Sequence, residues 1–200
     1  MGKLITVGEV IMNFKVATQF QFLLMVALTG LLTSNAWSQE AETQETETKV
    51  KKIVDAKLGA TKNVHRAGDL WFAGQFTPAD IGELKKQGFK RVITLRTDGE
   101  IDWDEKKMVE QAGMEFISIP FRKPETLNDE VFNLVRKQLK GDHKTLFHCG
   151  SAKRVGGVWL PFRVLDEKVE LEQAIKEAEM IGLRTPFIKE KALEYIKRQK

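Results

Sequence analysis

KTLFHCGSAKRVGG, residues 144–157, decides how the chain is read. Lys144 to Cys149 is a short apolar run of the kind that forms a buried strand. The small and basic residues Gly150-Ser151-Ala152-Lys153 follow, with Arg154 directly after them. Val155, Val158, Trp159, Phe162 and Leu165 then recur at helical spacing, and Pro161 is expected to kink that buried helix. Strand, tight loop and buried helix in this order belong to a parallel sheet, where ligands bind outside the carboxyl ends of the strands. Cys149, the only cysteine in 200 residues, sits at that edge.

Upstream, one grammar recurs three times: amphipathic helix, glycine stop, short apolar strand. Thr77-Pro78-Ala79-Asp80 has the capping-box spacing with proline at the first helical position, Ile81 and Leu84 share a face, and Gly88 ends the helix before the strand Phe89 to Leu95. A second helix over Asp104 to Ala112 stops at Gly113, ahead of Met114 to Pro120. A third starts at Asn128-Asp129, carries Val131, Phe132, Val135 and Leu139, and stops at Gly141 before the quoted strand. Trp71-Phe72-Ala73-Gly74 reads as an earlier strand at an edge. Two more amphipathic helices, Leu171 to Ile181 and Pro186 to Lys197 with Thr185 as N-cap, complete the chain. The expectation is a three-layer α/β domain over residues 61–200, a mainly parallel sheet covered by helices.

The N-terminus reads differently. A few charges (Lys3, Glu9, Lys15) precede an apolar run from Phe22 to about Leu32, and small residues stand at Ala36 and Ser38. That pattern is a secretory signal peptide cleaved near Ser38, with Met12 an alternative start. The run is shorter than the ~20 residues a membrane-spanning helix needs, so no stable membrane insertion is expected after cleavage, and the predicted location is the bacterial periplasm. Residues 39–60 are read as a polar linker, opening on QEAETQETETK.

Removing the three lysines and five glutamates that precede Val50 from the totals of 32 basic and 28 acidic residues leaves 29 against 23. A modestly basic domain suits small anionic ligands, although lysines at helical spacing also make an ordinary solvated face. No interleaved aromatic and basic stripe favours nucleic acid, and three histidines without clustered carboxylates give no metal-site spacing. No metal or other cofactor is expected.

A lone cysteine cannot form an internal disulfide, so Cys149 is either buried and inert or free for chemistry. The second reading has local support. Backbone N–H groups of Gly150, Ser151, Ala152 and Lys153, with the positive end of the following helix, would form an anion nest. The same field favours a thiolate. Arg154 on the first helical turn would offer a planar fork to two oxygens of a tetrahedral anion.

Three further stretches carry a resemblance: Trp71-Phe72-Ala73-Gly74-Gln75-Phe76-Thr77-Pro78-Ala79-Asp80, Val92-Ile93-Thr94-Leu95-Arg96-Thr97-Asp98-Gly99-Glu100, and Ile119-Pro120-Phe121. With the loop at Cys149 they resemble the bacterial tyrosine-phosphatase-like family, also called the beta-lactamase-hydrolase-like phosphatase domain, itself similar to dual-specificity phosphatases. The resemblance covers roughly Asn63 to Leu165. It implies a cysteine-phosphatase-like fold, Cys149 as phosphocysteine nucleophile, Arg154 as phosphate clamp, and Gly150 to Lys153 as the phosphate-binding cradle. It also implies a phosphate ester or another small oxyanion as substrate. Two positions depart from the family: four residues rather than five separate Cys149 from Arg154, and Val155 stands where a serine or threonine is usual, leaving Ser151 as a substitute hydroxyl. For the general acid, Glu125 is the first choice, Asp129 the second and Asp98 the third. His148 precedes the cysteine as in the family.

Two other functions compete. Rhodanese-type sulfurtransferases have four residues between cysteine and a terminal basic residue, and a persulfide on Cys149 would need no general acid. A non-catalytic anion-binding module is the third reading.

Overall fold

Glycine stops and helix caps fall where the local chemistry puts them. In the computed structural model, which describes residues 51–200, a 3-10 turn at Pro78–Asp80 leads into α1 (Ile81–Lys86). Asp80 Oδ2 accepts from the backbone N–H and the hydroxyl of Thr77, at 2.8 and 2.9 Å. Asp104 caps α2 (Glu105–Gln111) by accepting from the Lys107 N–H, and Asn128 caps α3 (Asp129–Leu139) by accepting from that of Val131. Gly88 and Gly113, each at φ 83°, end α1 and α2 in the left-handed conformation that costs glycine least. The remaining helices are α4 (Lys153–Leu165), α5 (Leu171–Ile181) and α6 (Pro186–Gln199).

Six strands form one sheet: β1 (Val54–Asp55), β2 (His65–Ala67), β3 (Leu70–Ala73), β4 (Arg91–Thr94), β5 (Glu115–Ser118) and β6 (Thr145–His148), in the order β1-β2-β3-β6-β4-β5. The last four in that order run parallel, and β1 and β2 add antiparallel to β3. Two expectations change here. β3 is interior, flanked by β2 and β6, because two short strands extend the sheet beyond it. The folded part also begins by Ile53, which is buried, rather than at residue 61: β1 pairs with β2, and Leu58 is fully buried. The signal-peptide reading and the start of the linker lie outside the described residues.

Alternation along the strands divides the interior in two, since successive side chains point to opposite faces. Phe72, Ile93, Leu95, Phe147 and Cys149 join α3, α4, α5 and α6 in one core. Ala73, Val92 and Leu146 join α1 and α2 in the other, with Phe76, Leu84, Phe89 and Val109. This is the three-layer arrangement, with helices on both faces. Phe72 and Trp159 meet edge to face at 5.3 Å, and each buried side chain of this size contributes roughly 1.5–3 kcal/mol.

α4 is buried for most of its length, and its glycines explain how α5 and α6 come so close. A Cβ on Gly156 would stand 2.5 Å from the Ala178 carbonyl oxygen, and one on Gly157 would stand 2.1 Å from Ile188 Cγ2. Arg163, fully buried on α4, binds Glu177 of α5 through Nε at 2.6 Å and donates to the Lys51 carbonyl. Among the described residues, no helix is long and apolar enough to cross a membrane.

Candidate active site

At the carboxyl edge of the sheet the register aligns Ala73, His148, Thr94 and Ser118 across β3, β6, β4 and β5. Cys149 is one residue beyond that row, 1% exposed, with its side chain toward α4. Its N–H donates to the Ala73 carbonyl at 3.4 Å. The loop that follows is pinned from one side. Gln75 N–H donates to the Gly150 carbonyl at 3.1 Å, Asn63 Nδ2 donates to the Ser151 carbonyl at 3.2 Å, and Gly74 pairs with Ser151 as an isolated bridge. The Gln75 and Asn63 bonds use the loop's carbonyls. Completing that bridge turns the Ala152 N–H toward the Ala73 carbonyl, and the N–H groups of Gly150, Ser151 and Lys153 meet no acceptor among the described residues.

Ala152 carries the turn into α4. It is fully buried at φ 63°, and the α5–α6 turn lies against it: a Cβ on Gly182 would stand 3.1 Å from both C and O of Ala152. Lys153, the first residue of α4, is exposed. Local sequence therefore supplies the loop, and the α5–α6 turn holds it from behind.

Arg154 is fixed by acceptors on three sides. Nη1 donates to the carbonyls of Leu95 and Phe121, at 2.9 and 3.0 Å, and to Glu100 Oε1 at 2.8 Å; Nη2 donates to Glu100 Oε2. Glu100 thus takes the guanidinium end-on. The side edge, Nε–H with the second Nη2–H, makes no bond to a protein oxygen, Cys149 being the other side chain that Arg154 meets, and Nη2 lies 3.7 Å from where a Cβ on Gly150 would stand. That free edge is the planar fork an oxyanion accepts from. Burial works against the charge of Arg154, but Glu100 and neighbouring Cys149 raise its pKa above the ordinary value. Burial likewise opposes ionisation of Glu100, yet the Arg154 bonds and the N–H and hydroxyl of Thr97, at 2.8 and 2.9 Å, bring its pKa down to about 2. Glu100 is an ionised anchor and holds no proton to give at neutral pH.

Behind the loop, His148 points to the opposite face from Cys149. Its ring is fully buried, packs edge to face on Phe76 at 4.9 Å, and has Nε2 2.7 Å from Glu105 Oε1, displaced from the ring N–H direction. Burial, with Arg96 nearby, lowers the His148 pKa to about 3, so the ring is neutral. Glu105 also forms a buried ion pair with Arg96.

None of the three candidate acids hydrogen-bonds Arg154 or Cys149. Glu125 is exposed in a 3-10 turn (Pro124–Thr126) and lines a shallow depression with Asp129, Lys191 and Arg198. Asp129 binds Arg198 at 2.6 Å, and Asp98 is exposed on the loop after β4. Ser151 is exposed and Val155 fully buried. Sequence reasoning missed Glu100 as the partner of Arg154, although Thr97-Asp98-Gly99-Glu100 has the S/T-x-x-E spacing that marks a local hydrogen-bonded turn. It also missed Arg96 and Glu105, for which no local signal exists.

Comparison with known proteins agrees with the geometry. No protein-family model matches the chain. A stretch of 106 residues is 28% identical to the beta-lactamase hydrolase-like protein of Agrobacterium fabrum, covering 50% of this chain and 25% of that protein; the chain thus spans about a quarter of its relative's length. Among solved structures, P. aeruginosa TpbA, a cysteine-to-serine variant in complex with phosphotyrosine, superposes with a TM-score of 0.57 at 17% identity, covering 76% of this chain and 91% of that one. A candidate phosphatase (DUF442) from Shewanella putrefaciens superposes at 0.55 with 23% identity, covering 70% and 95%. The fold is that of the tyrosine and dual-specificity phosphatases.

Proposed function

We propose that the chain is an exported, cysteine-dependent phosphatase that hydrolyses phosphate monoesters through a phosphocysteine intermediate. The observation that carries the reading is the pairing of Cys149 with a loop whose Gly150, Ser151 and Lys153 N–H groups are unbonded and with the free edge of Arg154, at the carboxyl end of β6. The likeness to the TpbA structure, which holds phosphotyrosine, supports it.

In this reading, three phosphoryl oxygens lie in the N–H cradle and on the Arg154 fork, positioned for the Cys149 thiolate. The thiolate attacks phosphorus, the ester P–O bond breaks, and the leaving oxygen takes a proton from an acid or from water. Water then attacks phosphorus, the P–S bond breaks, and inorganic phosphate leaves with the thiolate restored. Glu100 keeps Arg154 oriented throughout. Because Glu100 is ionised, the leaving-group proton must come from another group, and aryl phosphates, whose leaving groups need protonation least, are the preferred class. The export reading rests on the apolar run from Phe22 and the small residues at Ala36 and Ser38.

The test is hydrolysis of an aryl phosphate by the purified protein, abolished by Cys149→Ser and inhibited by vanadate. No turnover from acidic to neutral pH overturns the reading. The four-residue spacing favours sulfur transfer as the second reading, tested by thiocyanate formation from thiosulfate and cyanide and by a sulfur adduct on Cys149.

A further inference from the structure

Seven buried side-chain polar atoms among the described residues have no hydrogen-bond partner, and four of them belong to Arg96, Glu105 and His148. These three residues come from different elements. Arg96 follows β4, Glu105 opens α2, and His148 ends β6 next to Cys149. All three are buried, at 7%, 3% and 0% exposure. Each Glu105 oxygen faces a different partner: Oε2 takes Arg96 Nη2 in the ion pair, and Oε1 lies 2.7 Å from His148 Nε2. An ion pair buried this deeply gives little net stability for its desolvation cost, so its place behind the reactive cysteine needs another reason.

Charge supplies one. Arg96 follows Leu95, whose N–H donates to the His148 carbonyl at 3.1 Å and whose carbonyl accepts from Arg154 at 2.9 Å, so its charge stands at the strand end that carries Cys149, with Glu100 also near. The charged or titratable groups around the thiol are therefore Arg154 from α4, Glu100 from the β4–α2 loop, Arg96 from the end of β4, His148 from β6 and Glu105 from α2. Arg154 is already matched by Glu100. With His148 neutral, Arg96 is the second cation, and Glu105 is its only ion-pair partner among the described residues. We infer that Glu105 is a positioning residue, whose carboxylate balances Arg96 behind the sheet and thereby sets how readily Cys149 ionises. The inference rests on reading Cys149 as the nucleophile, but does not require that the reaction be phosphate hydrolysis.

Removal of either partner should move the thiol in opposite directions. Glu105→Gln leaves Arg96 uncompensated, which favours the thiolate. Arg96→Gln leaves the carboxylate uncompensated, which disfavours it. Removing both restores the balance.

The experiment is the pH dependence of Cys149 alkylation by iodoacetamide in the full chain, followed by mass spectrometry, with circular dichroism as the check on folding. Glu105→Gln lowers the midpoint by about one pH unit, equivalent to about tenfold more thiolate at a fixed pH below it. Arg96→Gln raises it by a similar amount, and the double variant returns to within a few tenths of a unit of the native value. Shifts in the same direction, no shift in a folded single variant, or a double variant displaced by about a unit or more would each overturn the inference. Each variant decides on its own if another does not fold. Because alkylation needs no turnover, failure of the protein to hydrolyse aryl phosphate counts against the phosphatase reading and leaves this result intact.

Discussion

Gly156→Ala adds a single methyl group where α4 passes closest to α5. The added Cβ would stand 2.5 Å from the Ala178 carbonyl oxygen and 2.9 Å from Leu183 N, whereas ordinary contact starts at 3.4 Å. Both neighbours are backbone atoms, so no rotamer change relieves the overlap, and the end of α5 must retreat by about 0.9 Å. Overpacking costs about 1–3 kcal/mol, two backbone overlaps at once place this site at about 2–3, and alanine's better helix propensity returns at most about 1 kcal/mol, leaving a net loss of about 1–2 kcal/mol or more. For a domain of this size the net loss corresponds to a fall in Tm of roughly 2–8 °C. The displacement also reaches the site, because Gly182 at the end of α5 lies against Ala152 in the anion loop. Orthovanadate, a tetrahedral oxyanion, should therefore bind the variant about threefold or more weakly and raise its Tm less. The control is Gly82→Ala on α1, where a Cβ meets nothing within 4 Å and Tm should hold or rise slightly. Calorimetric melts of the three proteins, with and without vanadate, make the comparison. A Gly156→Ala protein that melts with the native one and shows the same vanadate shift would refute the packing argument and its link to the loop.

Other outcomes follow from the same geometry. Arg163→Ala strands Glu177 without its buried partner and should cost about 3–5 kcal/mol, read as a lower urea midpoint; a loss under 1 kcal/mol would show that the α4–α5 clamp carries little. Arg154→Lys keeps the charge but loses both the end-on grip of Glu100 and the side-on fork, so vanadate affinity should fall about 10- to 100-fold, and an unchanged affinity would assign the anion to the loop N–H groups alone. The pKa of His148 is lowered from 6.5 to about 3, so between those values the unfolded chain binds a proton that the folded chain does not. Stability is then full above pH 6.5 and falls as pH drops, with a slope approaching about 1.4 kcal/mol per unit. Glu100, held at about 2 against an ordinary 4.5, adds its own loss only below 4.5. His148→Gln should flatten urea-derived stability between pH 6.5 and 4.5, and identical slopes in the two proteins would contradict a buried neutral imidazole.

Much of the fold is local in origin, which is why so much of it can be read in advance. Capping residues, glycine stops and apolar periodicity define α1 to α3 and the parallel strands β4 to β6 within a residue or two. β1 and β2 escape because they are two and three residues long and read Val54-Asp55 and His65-Arg66-Ala67, with no alternation to detect. Their absence from the pattern is also what made β3 look like an edge. The site divides in the same way. Cys149 to Arg154 is contiguous, so strand, loop and helix start suffice to place it. The Glu100–Arg154 pair and the Arg96–Glu105–His148 group join residues that only the sheet brings together, and their burial is invisible in a sequence where each looks like a surface charge. The general acid is the hardest part to read, since any carboxylate on the loops above the strands satisfies the pattern.

The most direct test of the central claim is acid-quenched intact-mass spectrometry of the protein, mixed with an aryl phosphate for times shorter than one turnover. The prediction is a single phosphoryl adduct mapped to Cys149, absent from Cys149→Ser and lost as inorganic phosphate appears. Aryl phosphate hydrolysed with no adduct on Cys149, or a cysteine that acquires sulfur from thiosulfate but never phosphate, would contradict it.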